Sequence, residues 1–297
     1  MKDLKYRAEI DGLRPIAVLA VIFYHAKFRY FSGGFVGVDI FFVISGYLIT
    51  RIIHTQLLNE NFSIIQFYER RARRILPALI VVVSLCVIPA LFLMIPGQLV
   101  EFGDSLIAVA LFVSNILFFH RTDYLATSSD IILLIHTWSL AIEEKFYLIF
   151  PLILIVLVLH ARNQTRYLLL GLLALSFGAT VVTSGLPDWR DATFYLSNAR
   201  ACELFAGGII AVNEQDSTFS NKCMRQILSV LGLASLGTFI VIFHDDMAYG
   251  GPLPVFPVLG TMFVIGAGTS DTLIARMLST RLLVATGLIS YSLYLYH

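Results

Sequence analysis

Charged side chains are scarce in this sequence: Asp, Glu, Lys and Arg make up 14% of its 297 residues, where a soluble domain carries about 25%. So few charges cannot coat a water-exposed surface of that size, and a soluble globular domain is excluded. Cysteine is also rare. Cys86, Cys202 and Cys223 lie far apart, with no CxxC pair and no histidine at zinc spacing, so no metal site is expected and the three read as small hydrophobes with free thiols. Lys and Arg number 21 against 20 Asp and Glu. That near-balance points to no nucleic-acid partner. Internal repeats and low-complexity tracts are missing, which makes one helical domain over residues 1–297 the simplest plan.

What the sequence has in abundance is apolar length. Hydrophobic residues make up 58% of the chain, and its mean hydropathy is +0.81. They fall in blocks near the length of about 20 residues that crosses a bilayer as helix. The ten-residue alternating strands of a membrane β-barrel are absent. Candidate spans are 12–30, 35–53, 75–95, 104–120, 138–160, 167–184, 200–213, 226–243, 253–269 and 282–297. The expected fold is an all-α, polytopic transmembrane helical bundle of about ten spans. The first block contains Arg14 and His25 and has no small-residue cleavage site, so it reads as a retained span rather than a signal peptide.

Basic residues orient the first half. Lys2, Lys5 and Arg7 precede the first block, and Arg51, Arg70, Arg71, Arg73 and Arg74 follow the second. Both groups belong in the cytoplasm by the positive-inside rule, with the N-terminus there too. The loop at 96–104 has acids and no bases and fits outside. In the second half, strict alternation puts Arg162, Arg166, Arg276 and Arg281 outside, against the same rule.

Ionisable groups at membrane depth mark functional sites by default. Arg14 and His25 are eleven residues apart in the first block. Eleven helical steps amount to three turns plus about 20°, so the two share one face about 16 Å apart. A guanidinium can grip phosphate at one end of a long ligand while an imidazole works on its reactive end. The bland readings are a snorkelling arginine and a satisfied histidine. Asp39, early in the second block, can orient an imidazole or face water at a helix start. Ser45 reads first as a serine bonding back to its own helix. Arg70/Arg73 and Arg71/Arg74 form two pairs at i, i+3, suited to phosphate or to anionic lipid head groups. His136, Ser139 and Glu143 share a helix face as acid/base partners or a substrate clamp. Glu144 and Lys145 read as solvent or interface residues, and Arg200 and Glu203 as a mutual pair.

Taken together, these residues resemble the acyltransferase-3 family of membrane enzymes, which move acyl groups, usually acetyl, onto envelope carbohydrates and other hydroxyl acceptors. The resemblance runs in order along nearly the whole chain. Its blocks are Glu9-Ile-Asp-Gly-Leu-Arg14 with His25, Gly34 to Leu48, Arg71-x-x-Arg74 before Ile75-Leu-Pro77, His136 to Glu144 with Phe146-Tyr147, Arg200-Ala-Cys-Glu203, and Ser290 to His297. The resemblance implies that Arg14 and His25 are the family's essential pair, that Arg71 and Arg74 are its cytoplasmic Arg-x-x-Arg, and that Glu143 is a functional acid. Similar members continue past the last block with a His-Trp-Pro sequence, and many add a further span and an extracytoplasmic SGNH-type domain. The chain stops at His297, so a C-terminally truncated domain is expected.

The expected activity is O-acetyl transfer at the plasma (inner) membrane. Acyl-CoA, typically acetyl-CoA, is the donor substrate, and no permanently bound cofactor is expected. The acceptor is an envelope carbohydrate such as O-antigen, or a lipid-linked glycan. Arg14, Arg71 and Arg74 are expected to hold the CoA phosphates. His25 is expected to act as general base or acyl carrier, with Asp39 or Glu143 orienting or charge-balancing it. The rival is a transporter or channel that uses the intramembrane His, Arg and Glu as a relay. It calls for inverted repeats, which the sequence does not show.

Overall fold

The computed structural model describes residues 6–122, 133–186, 192–214, 221–244, 253–268 and 271–297. Lys2 and Lys5 lie outside the described residues. Every regular element described is helical: α1 (Ala8–His25), α2 (Gly37–Leu58, led in by a 3-10 turn at Gly34–Val36), α3 (Ile64–Leu93), α4 (Pro96–Ala110), α5 (Ser114–Thr122), α6 (Thr137–Ala161), α7 (Thr165–Ser184), α8 (Ala192–Tyr195), α9 (Ser197–Asn213), α10 (Lys222–Ile242), α11 (Val255–Ala267), α12 (Leu273–Leu278), α13 (Arg281–Leu288) and α14 (Ser290–Tyr296).

The all-α expectation agrees with this architecture; the count of about ten spans does not. Among the described residues, three helices are long and apolar enough to cross a membrane: α2 with its lead-in turn, α3 and α10. They make the chain a membrane-associated one. The other blocks look like spans because hydropathy registers apolar content and is blind to backbone breaks. Block 104–120 is split into α4 and α5 around Phe112, whose φ of 53° no helix can continue. Block 282–297 is split into α13 and α14 at Ile289. Block 253–269 yields a helix of 13 residues, about 20 Å long against a hydrocarbon core of about 30 Å. Block 200–213 is a 17-residue helix whose buried face carries Arg200 and Glu203. Block 12–30 stops at His25, and Lys27 turns the chain with φ 57°. Blocks 138–160 and 167–184 become α6 and α7, joined by a 3-10 turn at Arg162–Gln164.

The three membrane-length helices play unequal parts. Of the apolar window of α2, 72% is buried, against 22% in each of α3 and α10. α2 is therefore the axis of the molecule, while α3 and α10 present apolar faces outward. Close packing onto α2 depends on missing side chains. A Cβ on Gly46 would lie 1.9 Å from the Leu204 carbonyl oxygen of α9, and one on Gly207 would lie 2.0 Å from that of Val43. The two backbones touch there, as small residues permit between apolar helices. On the other side, Gly34 abuts Ala20 and Tyr24, and Gly37 abuts Ala17 and Val21. α1 and α2 therefore run antiparallel.

Candidate active site

A cleft between α1, α2, α3, α6 and α14 holds about 780 Å³ of empty space, counted out to open solvent. Arg14, Arg71 and Arg74 all line it. Arg14 comes from the buried face of α1, where Asp11 one turn earlier holds its Nη1 at 2.9 Å. Arg71 and Arg74 come from α3, and the helical period sorts the basic cluster by face. Arg71 lies over the Tyr147 ring at 4.9 Å. Arg73 points away and pairs with Glu69 at 2.6 Å, both well exposed. Three cations line one cavity, and among the described residues Arg14 alone of the three is in an ion pair, so they form a ready seat for a polyanion.

Glu143 also lines the cavity, and Ser45 Oγ donates to its Oε1 at 2.6 Å. Ser45 therefore bonds across to α6 and does not fold back on α2. Glu144, expected at a solvent or interface position, lines the cavity as well. Lys145 is held by Asn115 at 2.6 Å. Further along the cavity, Ser139 Oγ and Tyr294 Oη are 2.6 Å apart, and both hydroxyls reach the His136 carbonyl oxygen, at 3.3 and 3.1 Å.

Beyond Ser139 and Tyr294 stand three imidazoles. The ring of His297 is 5.4 Å from that of His136 and 4.9 Å from that of His25. His25 is the exposed last residue of α1, not a group deep within a span. Its Nδ1 donates to the Val21 carbonyl at 3.0 Å, which puts the ring's lone pair on Nε2. His136 precedes α6. Burial first, then the neighbouring His297 and His25, push its pKa down to about 4, so it is neutral at ordinary pH. The arginines thus line the cavity together with Ser139 and Tyr294, and the imidazoles cluster beside Tyr294, whose ring is 5.0 Å from that of His297 and 6.1 Å from that of His136.

Asp39 belongs to neither end. It is fully buried, 2.8 Å from Arg200 Nη2, while Arg200 Nη1 bonds Glu203 at 2.8 Å. The register of α1 against α2 sets Asp39 level with residues 15–19, roughly 9–15 Å short of His25 along the axis. The expected role for Asp39 in orienting His25 directly is corrected on this geometry: a guanidinium takes the carboxylate first. The expected Arg200–Glu203 pair is present, but as part of a three-residue cluster. Arg200 is roofed by the rings of Phe42, Trp138 and Phe194 at 5.4, 5.7 and 5.7 Å.

Tyr147, Tyr291 and Tyr294 are the cavity residues that reasoning from charge missed. The signal for two of them was their i, i+3 spacing beside Ser290, which puts Tyr291 and Tyr294 on one face of α14.

The acyltransferase domain family matches residues 7–297. The peptidoglycan O-acetyltransferase OatA of Listeria monocytogenes is 35% identical over 307 residues, covering 99% of this chain and 49% of that protein. The O-acetyltransferase OatA of Staphylococcus aureus is 31% identical over 311 residues, covering 100% and 51%. The chain spans about half the length of these curated relatives. No solved structure matches it. With residues 7–297 inside the match, the chain belongs to the acyltransferase-3 family of acyltransferase domains.

Proposed function

We propose that the chain is a membrane O-acyltransferase that moves an acyl group, acetyl foremost, from acyl-CoA to a hydroxyl of a cell-envelope carbohydrate. The observation that carries this reading is a cavity lined by three arginines that runs to Ser139 and Tyr294, with an imidazole cluster beside Tyr294. Such a cavity suits a long donor with phosphates at one end and a thioester at the other. The family and the names of the relatives support the same chemistry. One relative is named for peptidoglycan, which favours a cell-wall glycan over the O-antigen as acceptor.

In this reading Arg14, Arg71 and Arg74 hold the CoA phosphates by charge-assisted hydrogen bonds. Glu143, fixed by Ser45, balances that positive charge and limits the cavity to an extended donor arm. The arm passes Ser139 and Tyr294 to reach His25. The His25 Nε2 takes the proton of the acceptor hydroxyl while its oxygen attacks the thioester carbonyl. The C–S bond then breaks, and the CoA thiolate recovers the proton from the imidazolium. Asp39, Arg200 and Glu203 hold α2 against α9 beneath this site. The arginines face the cytoplasm, where acyl-CoA is made, and the imidazole cluster faces the envelope, so the enzyme sits in the plasma membrane with its N-terminus inside.

The test is transfer of label from acetyl-CoA into envelope carbohydrate by membranes carrying this chain. Label is expected with the parent and absent with His25→Ala. Full transfer by His25→Ala, at matched levels in the membrane, would refute the assignment.

A further inference from the structure

His25 ends α1, and the residues after it, 26–32, form a fixed turn. The backbone N–H of Lys27 bonds the Tyr24 carbonyl at 2.9 Å, that of Phe28 the Phe23 carbonyl at 3.0 Å, and that of Phe31 the Phe28 carbonyl at 3.0 Å. The Phe23 ring lies 5.1 Å from that of Phe28 and 4.8 Å from that of Phe31. At its far end the turn is tied to α10. The Gly33 N–H bonds the Ile240 carbonyl at 2.9 Å, and Ser32 Oγ donates to the Val241 carbonyl at 3.0 Å. Lys27 is held at φ 57°, a left-handed conformation that lysine seldom adopts.

The turn presents cations and aromatic rings to its surroundings. Lys27 and Arg29 are exposed, and neither is in an ion pair among the described residues. Phe28 is 56% exposed and Tyr30 68% exposed, and the Arg29 guanidinium is 6.0 Å from the centre of the Tyr30 ring. Chain reach keeps these groups near the exposed His25: the Lys27 backbone is at most about 7 Å from it and that of Arg29 at most about 14 Å. In the orientation proposed above, the turn lies on the envelope side, where the positive-inside rule disfavours lysine and arginine. Two exposed cations there, with no acid of the chain's own, call for an anionic partner on that side. In the same reading the donor arm fills the cavity, so the acceptor comes to His25 from its exposed side, across this turn. A sugar ring has an apolar C–H face, which suits exposed aromatic rings. Carboxylates on its rim suit an ammonium and a guanidinium.

We propose that the turn at 26–32 is the acceptor platform and that it selects a glycan carrying carboxylates. Lys27 and Arg29 bind the carboxylates, Phe28 and Tyr30 pack against the C–H faces of the sugar, and a hydroxyl of the same glycan is thereby set beside His25. The inference rests on the acyltransferase reading and adds to it the charge class of the acceptor.

The experiment uses the chain in phosphatidylcholine nanodiscs. The probe is a tetrasaccharide of alternating N-acetylglucosamine and N-acetylmuramic acid, with its carboxyl groups free or capped as methyl esters. Saccharide affinity, acetyl-CoA affinity, label transfer and thermal midpoint are read together. The parent is expected to bind the free acid about tenfold or more tighter than the ester, with a preference that shrinks as salt is raised. Lys27→Gln combined with Arg29→Gln should abolish the preference and leave acetyl-CoA affinity and the thermal midpoint unchanged. Phe28→Ala combined with Tyr30→Ala should weaken acid and ester alike. A parent that binds acid and ester equally, or binds neither, overturns the proposal. So does a preference that survives the double Gln variant, or a fall in acetyl-CoA affinity by the same factor, which would put the two cations in the donor site or in the fold. If the double Gln variant keeps the preference but loses a stabilisation that phosphatidylglycerol gives the parent, the turn is a lipid anchor and the proposal is overturned. Equal transfer to acid and ester sinks the platform and leaves the acyltransferase reading standing. An acid preference with no transfer to either keeps the anionic-glycan surface and refutes that reading instead.

Discussion

Arg71 and Arg73 are two residues apart and have opposite fates. One lies in the cavity over Tyr147, the other outside it on Glu69. The sequence places two arginine pairs on this turn, and geometry alone tells which pair is turned inward. Arg73→Ala is accordingly expected to leave acetyl-CoA binding within about 0.5 kcal/mol of the parent, as surface substitutions do. Asp39 offers the complementary case. Asp39→Asn breaks a buried charge-assisted contact to Arg200, which Glu203 still holds, and costs about 1–3 kcal/mol. Asp39→Asn is expected to lower the thermal unfolding midpoint of the purified chain sharply. A variant as stable as the parent yet inactive would return Asp39 to the chemistry. His136 predicts a pH dependence with a definite sign. The unfolded chain takes this proton near pH 6.5 and the folded one only near 4, so between those values the unfolded state binds more protons. Stability should therefore fall as pH is lowered through that window, and His136→Gln should flatten the slope. Equal slopes in denaturation curves of the two would contradict the burial of this ring.

At the scale of the element, hydropathy found the apolar helices but misjudged their continuity. α2, α3 and α10 were legible because nothing within them interrupts an apolar run of membrane length. The breaks at Phe112 and Ile289 were not, because neither residue is a glycine or a proline and each is apolar. The charged residues of the cavity, Arg14, Arg71, Arg74 and Glu143, stood out in the sequence for a related reason: a charge in an apolar block has few uses. The tyrosines of α14 were not, since in a chain this rich in aromatics a tyrosine carries no such signal. The α2–α9 contact gives the element-scale prediction. A side chain at Gly207 must displace backbone at 2.0 Å, so Gly207→Leu is expected to separate the two helices and destabilise the chain by more than 1–3 kcal/mol, about the usual cost of overpacking. Gly171 on α7, where a Cβ meets nothing within 4 Å, serves as the control, and Gly171→Ala should be neutral or slightly stabilising in the same unfolding assay.

At the scale of the whole molecule, the arrangement is an arginine-lined cavity with an imidazole cluster beside it. α1 carries the cavity residue Arg14 and, eleven residues on, His25, while α6 carries the cavity residue Glu143 seven residues after His136, which precedes the helix. That spacing is about 10–16 Å of helix, so donor grip and transfer chemistry are set apart by rigid elements rather than by loops. The account therefore predicts that the cavity and the cluster fail separately. The most direct measurement is acetyl-CoA affinity alongside transfer of label, for the parent, Arg71→Ala and His25→Ala in the same membranes. Arg71→Ala should weaken acetyl-CoA binding by about tenfold or more, while His25→Ala should bind it as the parent does and transfer nothing. His25→Ala losing acetyl-CoA as completely as Arg71→Ala, or Arg71→Ala binding it undiminished, would contradict the division of labour between the arginine-lined cavity and the imidazole cluster beside it.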